Sequence, residues 1–298
     1  MYQSLIRTII PENWVTKFRI WRRTRILNKK HRPAALVGKV KPRWRDRIND
    51  VLACPDNAFI PRVPNAGVIE ADLLTMHNGI RIKALSYYGR GILNMLVENR
   101  GVHEPQEERA FADVMPHLPA APVSLEMGAY WGFYSLWLKT VHREAHCHLI
   151  EPDAANLQSG KMNFAINGMA AEFENAFVGD MDSRPDRGAP TISVDGYCLR
   201  KNIPHLHLLH SDIQGFELKM LAGARRMFSG RNIDYVFIST HSEELHRDCI
   251  SQLESFGYGI LCSVDIPQSY SGDGLIVAKS PLMAAPTHLE VSQKPSPA

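Results

Sequence analysis

From Val123 onward, short apolar runs alternate with longer stretches of helical periodicity at the spacing of β-α units, which predicts a parallel sheet covered on both faces. The runs place strands near residues 123–127, 146–150, 172–178, 206–211, 233–239, 258–263 and 274–279. Helices are expected between them at about 132–142, 154–166, 216–228 and 242–256, the second stopped by Asn167 and Gly168. Tyr235-Val-Phe-Ile238 is apolar on both faces, as a central parallel strand must be. Upstream, the runs Leu73–Met76 and Ile80–Leu85 flank an Asn78-Gly79 turn and read as a hairpin. Residues 104–118 read as a helix with its acids in the first turn, where the dipole favours them. Further upstream, Glu12 to Leu27 has helical character after Pro11, with Trp14, Phe18 and Trp21 at i, i+4 and i+7. Four segments follow: an arm at 1–59, a cap with hairpin and helical lead-in at 60–118, an α/β domain at 119–280, and a proline-bearing tail at 281–298 expected to be disordered.

Charge sharpens this division. The chain is 298 residues long with a net charge of +3, 45% hydrophobic and 22% charged, ordinary for a globular protein. Residues 1–50 nevertheless hold 14 Lys/Arg against 3 Asp/Glu, a balance of +11, while the remainder carries 20 against 28, a balance of −8. The two parts are expected to meet different partners. Arg19, Arg22, Arg23 and Arg25 beside the arm's tryptophans suit peripheral contact with an anionic membrane through residues 1–47, since each basic residue near such a leaflet gains about 1 kcal/mol. Packing of the aromatic stripe on the chain's own body or a second subunit, and RNA binding, compete with that reading; no specific nucleic acid is expected. Five scattered cysteines with no C-x-x-C spacing exclude a disulfide framework and a cysteine zinc site. No apolar run approaches the roughly 18 residues that cross a bilayer, and the first ten lack a signal peptide's apolar core, so a cytoplasmic chain, peripheral at the inner membrane surface, is expected.

Candidate chemistry gathers where strands end. Glu126, Gly128, Ala129, Tyr130, Gly132 and Ser135 run from a strand through two glycines into a helix, as a loop that approaches a ligand closely requires. The next strand ends at Glu151, Pro152 and Asp153, about where a doubly wound fold holds a ribose. The acid Glu126 at the first strand end fits a cationic ligand better than a pyrophosphate, which favours S-adenosylmethionine (SAM) over NAD. Asp180 is a candidate contact to the adenine. The fourth strand ends at Asp212, and Glu217 heads an apolar helix stripe, as a dipole partner or as a site residue. Thr240 and Glu243 have capping-box spacing, which would put His241 in the first helical turn, neutral and able to accept a hydroxyl proton. His210, Asp212 and His241 could also hold a divalent metal.

Glu126 to Ser135, Glu151-Pro-Asp153 with Asn156, Asp212-Ile-Gln-Gly-Phe-Glu217 before Met220-Leu-Ala-Gly-Ala224, and Thr191 to Asp195 together resemble the FkbM family of SAM-dependent methyltransferases over about residues 104 to 280. Tyr130 stands where that family usually has Asn, and Gln214 where Glu is common. The resemblance implies a doubly wound, seven-stranded class I methyltransferase (Rossmann-like) α/β sheet with an antiparallel last strand. It also implies O-methyl transfer, often to a sugar, glycan or secondary metabolite. The competing readings are a non-catalytic membrane-associated scaffold with this fold and an NAD-binding oxidoreductase.

Overall fold

The computed structural model describes residues 12–29, 36–184 and 188–295. Expectations resting on Met1 to Pro11, on the Trp14 side chain or on residues 296–298 fall outside the described residues. The arm holds α1 (Glu12–Asn28) and α2 (Pro42–Ala53). The cap comprises β1 (Ile69–Glu70), β2 (Leu73–Thr75), β3 (Arg81–Lys83), α3 (Arg90–Glu98) and α4 (Pro105–Val114). The domain follows as β4 (Val123–Met127), α5 (Phe133–Val141), β5 (His146–Ile150), α6 (Ala154–Ile166), β6 (Glu172–Glu174), β7 (Phe177–Val178), β8 (Thr191–Ile192), α7 (Val194–Lys201), β9 (Leu206–Ser211), α8 (Glu217–Gly223) and α9 (Arg225–Ser229). It closes with β10 (Ile233–Thr240), α10 (Glu243–Ser255), β11 (Gly259–Val264) and β12 (Gly274–Lys279).

The main sheet has seven strands in the order β11-β12-β10-β9-β4-β5-β6. β4, β5, β6, β9 and β10 run parallel, and β12 lies antiparallel between β10 and β11. This is the expected doubly wound α/β arrangement. Chain order reverses between β4 and β9, the switch point where such a sheet opens a crevice at its carboxyl edge. Period-two alternation divides the core between the two faces. Tyr235 and Phe237 pack with α5, the cap and Ile48 and Val51 of the arm, whereas Val236 and Ile238 pack with Tyr197, Met220 and Leu253.

Several elements depart from expectation for local reasons. The single strand expected at 172–178 is two, because the Asn175 side chain binds the carbonyls of Glu151 and Pro152 at 2.8 and 2.9 Å and turns β7 away to pair with β8. The helix expected over 216–228 breaks at Ala224; a Cβ on Gly223 would lie 2.2 Å from the Gly179 carbonyl, so the two backbones touch. The tail has no helix or strand, yet it is not loose. Leu289 is buried and donates its N–H to the Leu261 carbonyl at 3.0 Å, and Ser292 binds buried Asp56 through both its N–H and its hydroxyl.

The arm also closes on the body. α1 packs on α6 with Thr16, Ile20, Arg23, Thr24 and Leu27 turned inward. Arg19 pairs with Asp153, and Arg23 reaches Ser159 Oγ at 2.8 Å and the Ser86 carbonyl at 2.6 Å.

Candidate active site

β4 carries Glu126 to the carboxyl edge, and the chain then turns through Gly128 at φ 72°. A Cβ there would stand 1.7 Å from the Asp212 carbonyl, so glycine alone fits. Tyr130 follows with φ 40°, a left-handed conformation that a bulky side chain adopts rarely. Its N–H donates to Glu151 Oε2 at 3.2 Å, and its ring packs 5.1 Å from Tyr87 and 5.0 Å from Tyr88. The neighbouring cavity of about 260 Å³ is lined by Glu126, Gly128, Ala129, Tyr130, Glu151, Pro152, Asn156 and Asp212 among the expected residues.

Three other expected residues stand directly behind that wall. Gly132 is the left-handed N-cap of α5, and the Ser135 N–H donates to Glu126 Oε2 at 2.9 Å. Asp153 caps α6 by accepting from Ala155 N at 2.8 Å and Asn156 N at 3.3 Å. Burial pushes the pKa of Glu126 up, and no ion pair among the described residues relieves it. Burial raises Glu151 as well. Asp180 departs from its expected place: it is exposed and outside the cavity wall, since β7 leaves the main sheet before it, and Phe177 and Val178 line the third strand end instead.

Glu217 and His241 stand together beside Asp212. Glu217 is fully buried and does not line the cavity; its Oε1 accepts from Ile213 N at 3.3 Å and Gly215 N at 3.2 Å and so fastens the loop behind Asp212. The N-cap of α10 is Ser242, whose hydroxyl accepts from Leu245 N, so His241 precedes the helix. Its Nδ1 lies 3.0 Å from Glu217, and its Nε2 lies 3.2 Å from Asp212 and 3.7 Å from Asp273. Burial pulls its pKa down, but the carboxylates of Asp212 and Glu217 prevail and raise it to about 10. The two carboxylates favour the imidazolium form, while the Gln214 amide nitrogen, 2.8 Å from Nε2, is placed to donate to a neutral ring.

His210 is the histidine that lines the cavity. Its Nε2 lies 2.6 Å from Glu107 Oε1, while Ser239 Oγ donates to Glu107 Oε2 at 3.0 Å. Its Nδ1 is buried with no partner. In the neutral ring with its Nε2 proton directed at Glu107, Nδ1 carries the lone pair. Burial opposes protonation of His210, but the Glu107 carboxylate raises its pKa. Tyr134 stacks 4.3 Å from the ring and donates its hydroxyl to Glu104 at 3.0 Å. Glu104 and Glu107 read from sequence as first-turn dipole acids. The overlooked signal is that Glu107, Phe111 and Val114 share one buried stripe of α4.

Among the described residues His210, Asp212 and His241, which could have held a metal, do not gather as ligands: His210 Nε2 is bound to Glu107, and His241 lies between Asp212 and Glu217. Among the described residues, His205, His207 and Asp234 do gather, at the amino-terminal edge of β9 and β10. There His207 Nδ1 already accepts from Val123 N at 2.9 Å, and His205 Nε2 is 2.9 Å from Asp234.

Residues 126–260 match the model of the methyltransferase FkbM domain. The match runs from the end of β4 to the start of β11, a little under half of the chain. Glu126, Gly128, Glu151 and Asp212 fall inside the matched span, and both Glu107 and the arm precede it. No curated protein matches the chain in sequence. Among solved structures, precorrin-6y C5,15-methyltransferase from Geobacter metallireducens GS-15 is 13% identical, with a TM-score of 0.42 over 58% of this chain and 87% of that one. M. capricolum TrmK in complex with S-adenosyl-homocysteine is 13% identical, with a TM-score of 0.39 over 61% and 71%. Together the match over residues 126–260 and the strand order above support a SAM-dependent methyltransferase. No helix among the described residues is long and apolar enough to cross a membrane.

Proposed function

We propose that this protein transfers the methyl group of SAM to a hydroxyl oxygen of a small molecule, a sugar or a glycan. The observation that carries the reading is the loop at Gly128, which no side chain could occupy, set against two buried strand-end carboxylates that form no ion pair among the described residues. Glu126 is suited to the ammonium of SAM, Glu151 with Asn156 to its ribose, and Phe177 and Val178 to its adenine. SAM supplies an electrophilic methyl on a sulfonium, whose C–S electron pair leaves with the sulfur. His210 Nδ1 takes the proton of the acceptor hydroxyl, and Glu107 stabilises the imidazolium so formed. Asp212 shares the cavity wall with His210 and orients the acceptor, while Glu217 and His241 hold Asp212 in place.

Titration calorimetry with SAM tests the cofactor half: micromolar binding that Glu126→Gln weakens is expected, and no binding would overturn it. For the reaction, tritiated SAM is incubated with extract from cells lacking the gene. Label should enter a hydroxyl compound one CH₂ heavier by mass spectrometry. His210→Gln should slow transfer by about a hundredfold or more with SAM affinity unchanged, the usual worth of a general base. Undiminished transfer by that variant would remove His210 from the mechanism.

A further inference from the structure

Helix α1 has two faces with different tasks. Its inward face is occupied by α6, and its inner basic residues are engaged, Arg19 by Asp153 and Arg23 by Ser159 and Ser86. On the outward face Phe18 and Trp21 are 58% and 53% exposed, and their rings stack on each other at 5.7 Å. The Arg25 guanidinium lies 5.2 Å from the Trp21 ring, and Arg22 and Lys29 stand exposed on the same sweep. No ion pair among the described residues holds Arg22, Arg25 or Lys29. Val15 and Ile26 flank this face and are also exposed.

We propose that the outward face of α1 is a docking surface for an anionic lipid bilayer, on which the helix lies flat. A 17-residue helix is about 25 Å long, and one bearing this charge rests at the headgroup level instead of crossing. The aromatic rings and the aliphatic Val15 and Ile26 enter the acyl boundary, while Arg22, Arg25 and Lys29 meet lipid phosphates. A nucleic acid would pair with the same cations and stack on the same rings, but it has no use for Val15 and Ile26. Charge also favours this orientation, because Arg22, Arg25 and Lys29 are exposed on the outward face while residues 51–298 carry a net −8 that an anionic surface repels. The surface does not depend on the reaction proposed above.

The test is cosedimentation of the full chain with sucrose-loaded vesicles of phosphatidylcholine, with and without phosphatidylserine. Binding to the phosphatidylserine vesicles is expected, lost with added salt. It should fall at least about tenfold in Phe18→Ser/Trp21→Ser and in Arg22→Glu/Arg25→Glu, with circular dichroism and SAM binding unchanged. Absence of binding to anionic vesicles, or equal binding by both folded variants, overturns the proposal. So does capture of poly(U) RNA, or a dimer dissolved by these substitutions, in a chain that leaves vesicles untouched.

Discussion

Glu126 and His241 stand at the carboxyl edge of one sheet, and burial works against the charge of each. At Glu126 burial outweighs the His210 ring and the Ser135 N–H, which favour the charged form, and raises its pKa. A cationic cofactor binds the ionised form, so SAM affinity should fall on acidification at a higher pH than an ordinary carboxylate, pKa about 4.3, would dictate. Calorimetry across the mildly acidic range checks this, and Glu126→Gln should flatten the profile. At His241 the neighbouring carboxylates overcompensate, and its pKa rises from 6.5 to about 10. A raised folded-state value contributes stability that is complete below pH 6.5 and lost as pH climbs through about 10. The urea midpoint gap between the native chain and His241→Gln should therefore be widest just below pH 6.5, narrow through neutrality and close by about pH 10. The two residues also differ in how legible they were. Glu126 precedes a glycine turn in a local pattern, whereas the state of His241 depends on Asp212, Glu217 and Asp273, which only folding brings to the ring.

Elements were readable where their own periodicity decided them. β4, β5, β9 and β12 lie where their apolar runs end. Helix α2 was hidden, because Arg43, Arg45 and Arg47 dominate its pattern while Ile48 and Val51 alone are buried. The loop between β4 and α5 is the most constrained connection in the site. Gly128→Ala would add a Cβ against the Asp212 carbonyl at a positive φ, and should cost about 2 kcal/mol or more while displacing Asp212. A fall in melting temperature together with loss of SAM binding is the expected result, and a stable variant that binds SAM would refute the close approach. Tyr130, where the resembling family usually has Asn, takes a left-handed backbone that Asn tolerates better. Its aromatic contacts to Tyr87 and Tyr88 offset the strain.

Over the whole molecule, segments that composition separates share one core, in which Ile48, Leu74, Phe111, Phe237 and Leu289 come from arm, cap, domain and tail. The tail escaped sequence reading because a single apolar residue and a serine make no periodic signal, yet both find partners across the chain. Truncation after residue 280 should lower unfolding free energy by roughly 2–4 kcal/mol, through loss of Leu289 burial and of the Ser292 bonds to Asp56. Urea titration of the shortened chain measures it, and an unchanged midpoint would show the tail to be dispensable.

Asp56 lies 236 residues ahead of Ser292, and its carboxylate is buried with Arg109 at 2.6 Å. During synthesis the segment around Asp56 emerges long before Ser292 does. A nascent chain stalled before the segment 281–295 therefore leaves a buried carboxylate without two of its hydrogen bonds, an unfinished seam between the arm and the tail.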